Sequence, residues 1–177
     1  MWKVALTEYV PQRYLRRASF ETLENDRMLL SFKQGTSYAR RWATNLVGNA
    51  LSAMDMSNTV IVCIPASCKR TNDRRYKKFS AEVSAKLGAI DGFQHIEVIG
   101  KREKVHRSKT REQQDNVKID TDWFQGKRLI VVDDITTTGK TADAFIQKLE
   151  NAGAHVRMAI FLAKTKNYHR TSNYQYN

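Results

Sequence analysis

Asp133 and Asp134 stand side by side at the end of an apolar run, Leu129-Ile-Val-Val132, and Ile135-Thr-Thr-Thr-Gly-Lys-Thr141 follows them. Adjacent carboxylates accept hydrogen bonds from hydroxyls or face a cation. A hydroxyl-rich turn with one glycine leads into a helix-like segment. A helix start offers unpaired backbone N–H groups and a partial positive charge, which together hold phosphate. The order predicts a buried parallel strand, a tight loop and a helix N-terminus. Acids for hydroxyls beside a cradle for phosphate describe a site for a phosphorylated sugar. Two other readings compete. Gly139-Lys140-Thr141 imitates the end of a Walker A loop, but that loop needs an earlier glycine where this chain has Asp134. The plainer alternative is a buried strand followed by two helix-capping acids.

Residues 129–141 resemble the phosphoribosyl-pyrophosphate (PRPP) motif of the type I phosphoribosyltransferases. That motif is four apolar residues, two acids, two mostly apolar positions and then Thr/Ser-Thr/Ser-Gly-x-Thr/Ser; Thr136 fills a usually apolar place. The resemblance implies an enzyme that binds PRPP and Mg2+ and transfers phosphoribose to a nitrogenous acceptor, releasing pyrophosphate. It implies catalytic roles for Asp133 and Asp134, which would also hold the ribose hydroxyls. Ile135, Thr136, Thr137, Thr138, Gly139, Lys140 and Thr141 would complete the ribose and 5′-phosphate site. Mg2+ would be held through PRPP and water, with no metal ligated directly by the protein. The implied α/β fold is a parallel sheet flanked by helices, with a small hood region and a loop that closes over the ligand.

The elements that must position these residues alternate along the chain. Residues 1–36 are mixed and basic, broken by Pro11 and Gly35, and are left as an unassigned N-terminal or hood segment. From Ser37, Tyr38, Trp42, Leu46, Ala50 and Met54 recur at four-residue spacing and predict a helix, with Val47 and Leu51 beside that stripe. Val60–Ile64 reads as a buried strand ending at Pro65. Lys77–Leu87 reads as a helix with Phe79, Val83 and Leu87 inward and Gly88 as its stop. Ile96–Ile99 is a short strand, and residues 100–122 read as a long polar loop with room for a helical turn. Thr141–Ala152 is a helix with Ala144, Phe145 and Leu149 inward, and Val156–Leu162 is the last strand. Alternation of this kind predicts a parallel sheet in one domain, with residues 166–177 as a polar tail.

The loop after the first clear strand, Pro65-Ala-Ser-Cys-Lys-Arg70, occupies the family's pyrophosphate-loop position. The resemblance therefore assigns Ala66, Ser67, Cys68 and Lys69 to pyrophosphate. It assigns Arg102, Lys104 and Arg107 to a candidate closing loop, and Lys164 to a candidate acceptor contact. Within the superfamily the chain is most similar to the ComF family of competence-associated proteins. Arg75-Tyr76 resembles that family's Arg-Gly-Phe-Asn segment, Asn116-Val117 its Asn-Val segment and Phe161-Leu-Ala-Lys-Thr165 its terminal Leu-Ala-Arg-Thr. The four-cysteine ribbon of many ComF proteins is absent, and Lys77 stands near the expected Asn. Thr137 replaces the aspartate that serves 6-oxopurine enzymes, which argues against an ordinary hypoxanthine-guanine activity.

Net charge is +12 over 177 residues. Residues 69–78 and 101–111 carry two basic clusters, which suit an anionic ligand or, as an alternative function, single-stranded nucleic acid. No apolar run reaches the about 18 residues of a membrane span, and no signal-peptide core is present, so a cytoplasmic protein is expected. A homodimer stays open. Cys63 and Cys68 lack the paired spacing of a zinc site, and Cys63 reads as a small core residue.

Overall fold

The computed structural model describes residues 1–100 and 116–166. Seven strands and six helices carry the argument: β1 (Trp2–Tyr9), α1 (Phe20–Lys33), α2 (Ser37–Leu51), β2 (Thr59–Cys63), α3 (Lys69–Asn72), α4 (Lys78–Leu87), β3 (Ile90–Asp91), β4 (Ile96–Val98), β5 (Val117–Ile119), α5 (Thr121–Phe124), β6 (Arg128–Thr136), α6 (Lys140–Asn151) and β7 (His155–Thr165). One sheet has the order β1-β7-β6-β2-β3 and every pairing in it is parallel. A separate antiparallel ribbon joins β4 to β5. No helix among the described residues is long and apolar enough to cross a membrane.

The central strands read as unbroken apolar runs because both faces of the sheet are covered. Ile61, Cys63, Ile130, Val132, Ile160 and Leu162 pack under α1, α2 and α4. Val60, Val62, Leu129, Val131 and Phe161 pack under α6. Cys63 is a buried core thiol, and burial pushes its pKa up.

The N-terminal segment left unassigned by pattern is an edge strand and a capped helix. β1 runs beside β7 with Lys3 opposite Ala159 and Ala5 opposite Phe161. Ser19 caps α1 by accepting from the Thr22 N–H at 3.2 Å. Buried Asp26 of α1 accepts from the Val10 N–H, which ties the strand's end to the helix, and burial raises its pKa.

Three sequence expectations change. The inner face of α2 is Ala39, Ala43, Val47 and Leu51, with Tyr38 and Ala50 exposed. Small residues face inward because α2 lies close to α4: a Cβ at Gly48 would fall 2.4 Å from the Lys86 side chain. In α6, Ala142 and Ile146 join Phe145 and Leu149 inside, whereas Ala144 is exposed. In the polar stretch 100–122 the unexpected element is β5, which pairs with β4, whereas α5 is the helical turn for which the reading left room, capped by Asp120 accepting from the Trp123 N–H.

Gly35 closes the α1–α2 corner with φ +78°, and a Cβ there would lie 2.8 Å from the Arg74 carbonyl oxygen. Gly35→Ala should therefore cost about 1–3 kcal/mol, read as a lower urea midpoint at unchanged m-value. A shift too small to resolve would mean that this corner is loosely packed.

Candidate active site

β6 does not stop at Val132; it continues through both acids to Thr136, and α6 begins four residues later at Lys140. The acidic pair therefore sits on the carboxyl end of a central strand, where open α/β sheets take their ligands. Gly139 makes the turn with φ +79° at the helix start, and no side chain caps α6. Thr137 and Thr138 are exposed, and Thr137 Oγ1 shares a 2.9 Å hydrogen bond with Thr165 Oγ1 of β7. Ile135 N–H is already bonded to Asp134 Oδ1 at 2.6 Å.

The structure separates the two carboxylates that the sequence treats alike. Asp134 is 5% exposed. Its Oδ2 accepts from Arg75 Nη1 at 2.7 Å, and Lys33 Nζ lies 3.7 Å from its Oδ1. Asp133 keeps partial exposure and accepts from the Tyr76 hydroxyl at 2.9 Å and from the Asp134 N–H at 2.8 Å. Burial, and then the neighbouring Asp134 charge, raise the Asp133 pKa to about 7. Tyr76 is pushed well up by burial and then by the charge of Asp133.

Arg75 and Tyr76 reach the pair because the helical run from Lys69 to Leu87 is interrupted by a π turn at Asp73–Lys77. The extra residue re-aims this turn toward β6. Tyr76 is fixed from below by Phe32, ring centroids 6.0 Å apart, and Phe32 stands edge-on to Phe79 at 5.0 Å. Arg75 Nε is buried with no hydrogen-bond partner among the described residues.

The loop after β2 lies alongside. Ile64 N–H donates to the Val132 carbonyl at 2.9 Å, which sets the loop beside the acidic strand. Ala66 is buried and its N–H donates to Asn72 Oδ1 at 3.0 Å, so that amide is already engaged. Ser67 is exposed and its carbonyl accepts from Asn116 Nδ2 at 3.3 Å. Cys68 donates to Thr71 Oγ1 at 3.3 Å, and exposed Lys69 pairs with Asp73 at 3.5 Å.

Lys164 stands one residue before the end of β7, opposite Thr136, and is exposed. It borders two hollows. One, of about 130 Å³, is lined by Lys3, Ala5, Thr136–Gly139, Phe161 and Lys164. The other, a cleft of about 740 Å³, runs between the ends of β1 and β7 and the start of α1, with Glu8, Glu21, Asn25 and Lys166 on its walls. Arg102, Lys104 and Arg107 lie outside the described residues, as do the whole of the second basic cluster and the tail from residue 167.

Pattern reading missed Lys3 and Lys33. Neither stands in a motif, and only strand order and helix packing bring them to the site. Arg75 and Tyr76 carried a signal, the basic-aromatic run after Pro65, but nothing in it names Asp134 as partner.

Residues 28–177 match the family model for the phosphoribosyl transferase domain. No curated protein matches. Among solved structures, UMP synthase from Leishmania donovani is 17% identical with a TM-score of 0.45, over 71% of this chain and 22% of that one. Adenine phosphoribosyltransferase from Rhodothermus marinus is 20% identical with a TM-score of 0.47, over 73% and 69%. Orotate phosphoribosyltransferase from Aeropyrum pernix is 19% identical with a TM-score of 0.46, over 73% and 62%. The chain thus spans about a fifth of the first of these and about two thirds of the other two.

Proposed function

This chain belongs to the phosphoribosyl transferase domain family, and we propose that it transfers phosphoribose from PRPP to a nitrogenous acceptor. The observation that carries the reading is the β6–α6 turn. It sets a carboxylate pair and an uncapped helix start on one sheet edge, one peptide loop apart.

In this reading Asp133 accepts from a ribose hydroxyl, and Asp134 contributes by holding Arg75 beside the sugar. Thr136 to Thr141 receive the 5′-phosphate through amides and hydroxyls. Ser67, Cys68 and Lys69 meet the pyrophosphate end. Departure breaks the C1–O bond, and its electron pair leaves with pyrophosphate. The acceptor nitrogen then forms the C1–N bond and sheds a proton to solvent. Basic side chains around the leaving group stabilise the charge that develops there.

The donor set fits a magnesium ion carried by the substrate. Among the described residues no group of three or more His, Cys, Asp or Glu gathers to hold a metal. Asp134 already faces two cations, Arg75 and Lys33, which oppose a resident dication there. When bound with PRPP, the ion supplies neutralisation of the pyrophosphate charge.

The acceptor is assigned to the cleft between β1 and β7, which shares Lys164 with the sugar-phosphate side. Kinship with the ComF family is part of the proposal. It is supported by Arg75 and Tyr76 at the acidic pair and by Asn116 at the Ser67 carbonyl. A cytoplasmic location belongs to the same reading.

PRPP with Mg2+ should raise the unfolding temperature, since a ligand at 100 times its Kd adds about 2.7 kcal/mol to the native state. Differential scanning and titration calorimetry check it. No heat of binding at millimolar PRPP would sink the reading. A screen of bases and amines for PRPP-dependent pyrophosphate release would then identify the acceptor.

A further inference from the structure

We propose that Lys3, supplied by the N-terminal edge strand, is a phosphate-contacting residue that sets the affinity of this site for the 5′-phosphate end of its ligand. The inference rests on the phosphoribosyltransferase reading and extends it to a residue outside the matched family region, which begins at residue 28.

The geometry runs from strand order to a single nitrogen. β1 lies next to β7, and β7 next to β6, so the edge strand is two strands from the acidic pair. Lys3 and Ala5 share the face of β1 that looks toward α6, and both line the small hollow under the Thr136–Gly139 loop. The long Lys3 side chain reaches the first turn of α6 and forms an ion pair with Asp143. Its Nζ lies 3.5 Å from the place a Cβ would take on Gly139, and Asp143 Oδ2 lies 3.9 Å from the same point. Lys3 is thus an ammonium held over the loop that the motif assigns to phosphate.

The chemistry favours a ligand role over a strut. The Lys3 and Asp143 side chains are 36% and 53% exposed, so an ion pair between them adds little stability. An ammonium beside the start of a helix is also poorly matched to the helix dipole, whereas a phosphate there is well matched. In the ligand-free chain Asp143 is merely the ammonium's partner, and a dianion takes its place. The hollow also contains Lys164, so two cations from adjacent strands flank the loop. The recognised group is a phosphomonoester on a sugar; the pyrophosphate end lies on the opposite, β2 side of β6.

The test is titration calorimetry with ribose 5-phosphate and, separately, pyrophosphate, on the full chain and on Lys3→Met, Lys3→Arg and Asp143→Asn. Lys3→Met should bind ribose 5-phosphate about fivefold more weakly, a charged hydrogen bond discounted for partial solvent exposure. Pyrophosphate affinity and thermal stability should be unchanged, Lys3→Arg should restore binding, and Asp143→Asn should stay within about twofold of the parent. A strut would instead make Lys3→Met and Asp143→Asn behave alike. That result, unchanged ribose 5-phosphate binding in Lys3→Met, or an equal loss for pyrophosphate overturns the inference while leaving the transferase reading intact. Failure of the parent protein to bind ribose 5-phosphate or PRPP overturns the transferase reading, and this inference with it.

Discussion

Arg75→Met should lower the unfolding free energy by about 3 kcal/mol, because removing one partner of a buried ion pair strands the other charge. Asp134 is 5% exposed, and Arg75 Nη1 is its close cation at 2.7 Å; Lys33 stands farther off at 3.7 Å. Methionine keeps an unbranched apolar stem and removes the guanidinium, whose carbon lies 5.6 Å from the Tyr76 ring centroid, so the loss reports mainly the charged head. Combining Arg75→Met with Asp134→Asn should recover more than half of the loss, since no uncompensated charge is then buried. Urea unfolding of the two single variants and the double variant measures this directly. A single-variant loss below about 1 kcal/mol would show that Lys33 alone satisfies Asp134.

Asp133→Asn should stabilise the ligand-free protein at pH 8 and do so less at pH 5. The sign follows from the direction of the shift. The folded-state pKa is raised to about 7, above the ordinary 3.8, by burial and by the Asp134 charge. Between those values the folded chain holds a proton that the unfolded chain has released. Stability from this group is therefore complete below about pH 4 and is lost as pH rises through about 7. The loss at pH 8 is on the order of 2–4 kcal/mol. An asparagine carries no charge to lose, and its oxygen can still accept from Tyr76 and from the Asp134 N–H. The same substitution should weaken ribose 5-phosphate binding by at least about tenfold, because a charged acceptor for a hydroxyl is gone. Gain in stability with loss of binding is the pattern expected where a site holds a strained charge for function. Parallel pH-stability curves for the parent and the variant would show that Asp133 is ionised in the folded chain at neutral pH.

The sequence by itself determined the parts whose signals are local. Leu129 to Thr141 is one contiguous strand, turn and helix start, so apolar burial, turn chemistry and the uncapped N-terminus are all written in neighbouring residues. The buried strand Thr59–Cys63 and the glycine stop at Gly88 were legible for the same reason. Helix faces were less so. On α2 the large residues Tyr38 and Trp42 form the more visible stripe, yet Ala39, Ala43 and Gly48 face inward, because the available space depends on α4 and not on α2 itself. Only the tertiary structure decided which groups surround the carboxylates. Arg75 and Tyr76 are 59 and 57 positions from their aspartate partners, and a π turn aims them. Lys3 is 140 positions from Asp143 and meets it because β1 takes the edge beside β7. Charge identity is a property of one residue, but a buried charge's partner and its pKa are properties of the packing around it. That is why the two adjacent aspartates, indistinguishable as letters, became one ion-paired anchor and one raised, partly exposed acid.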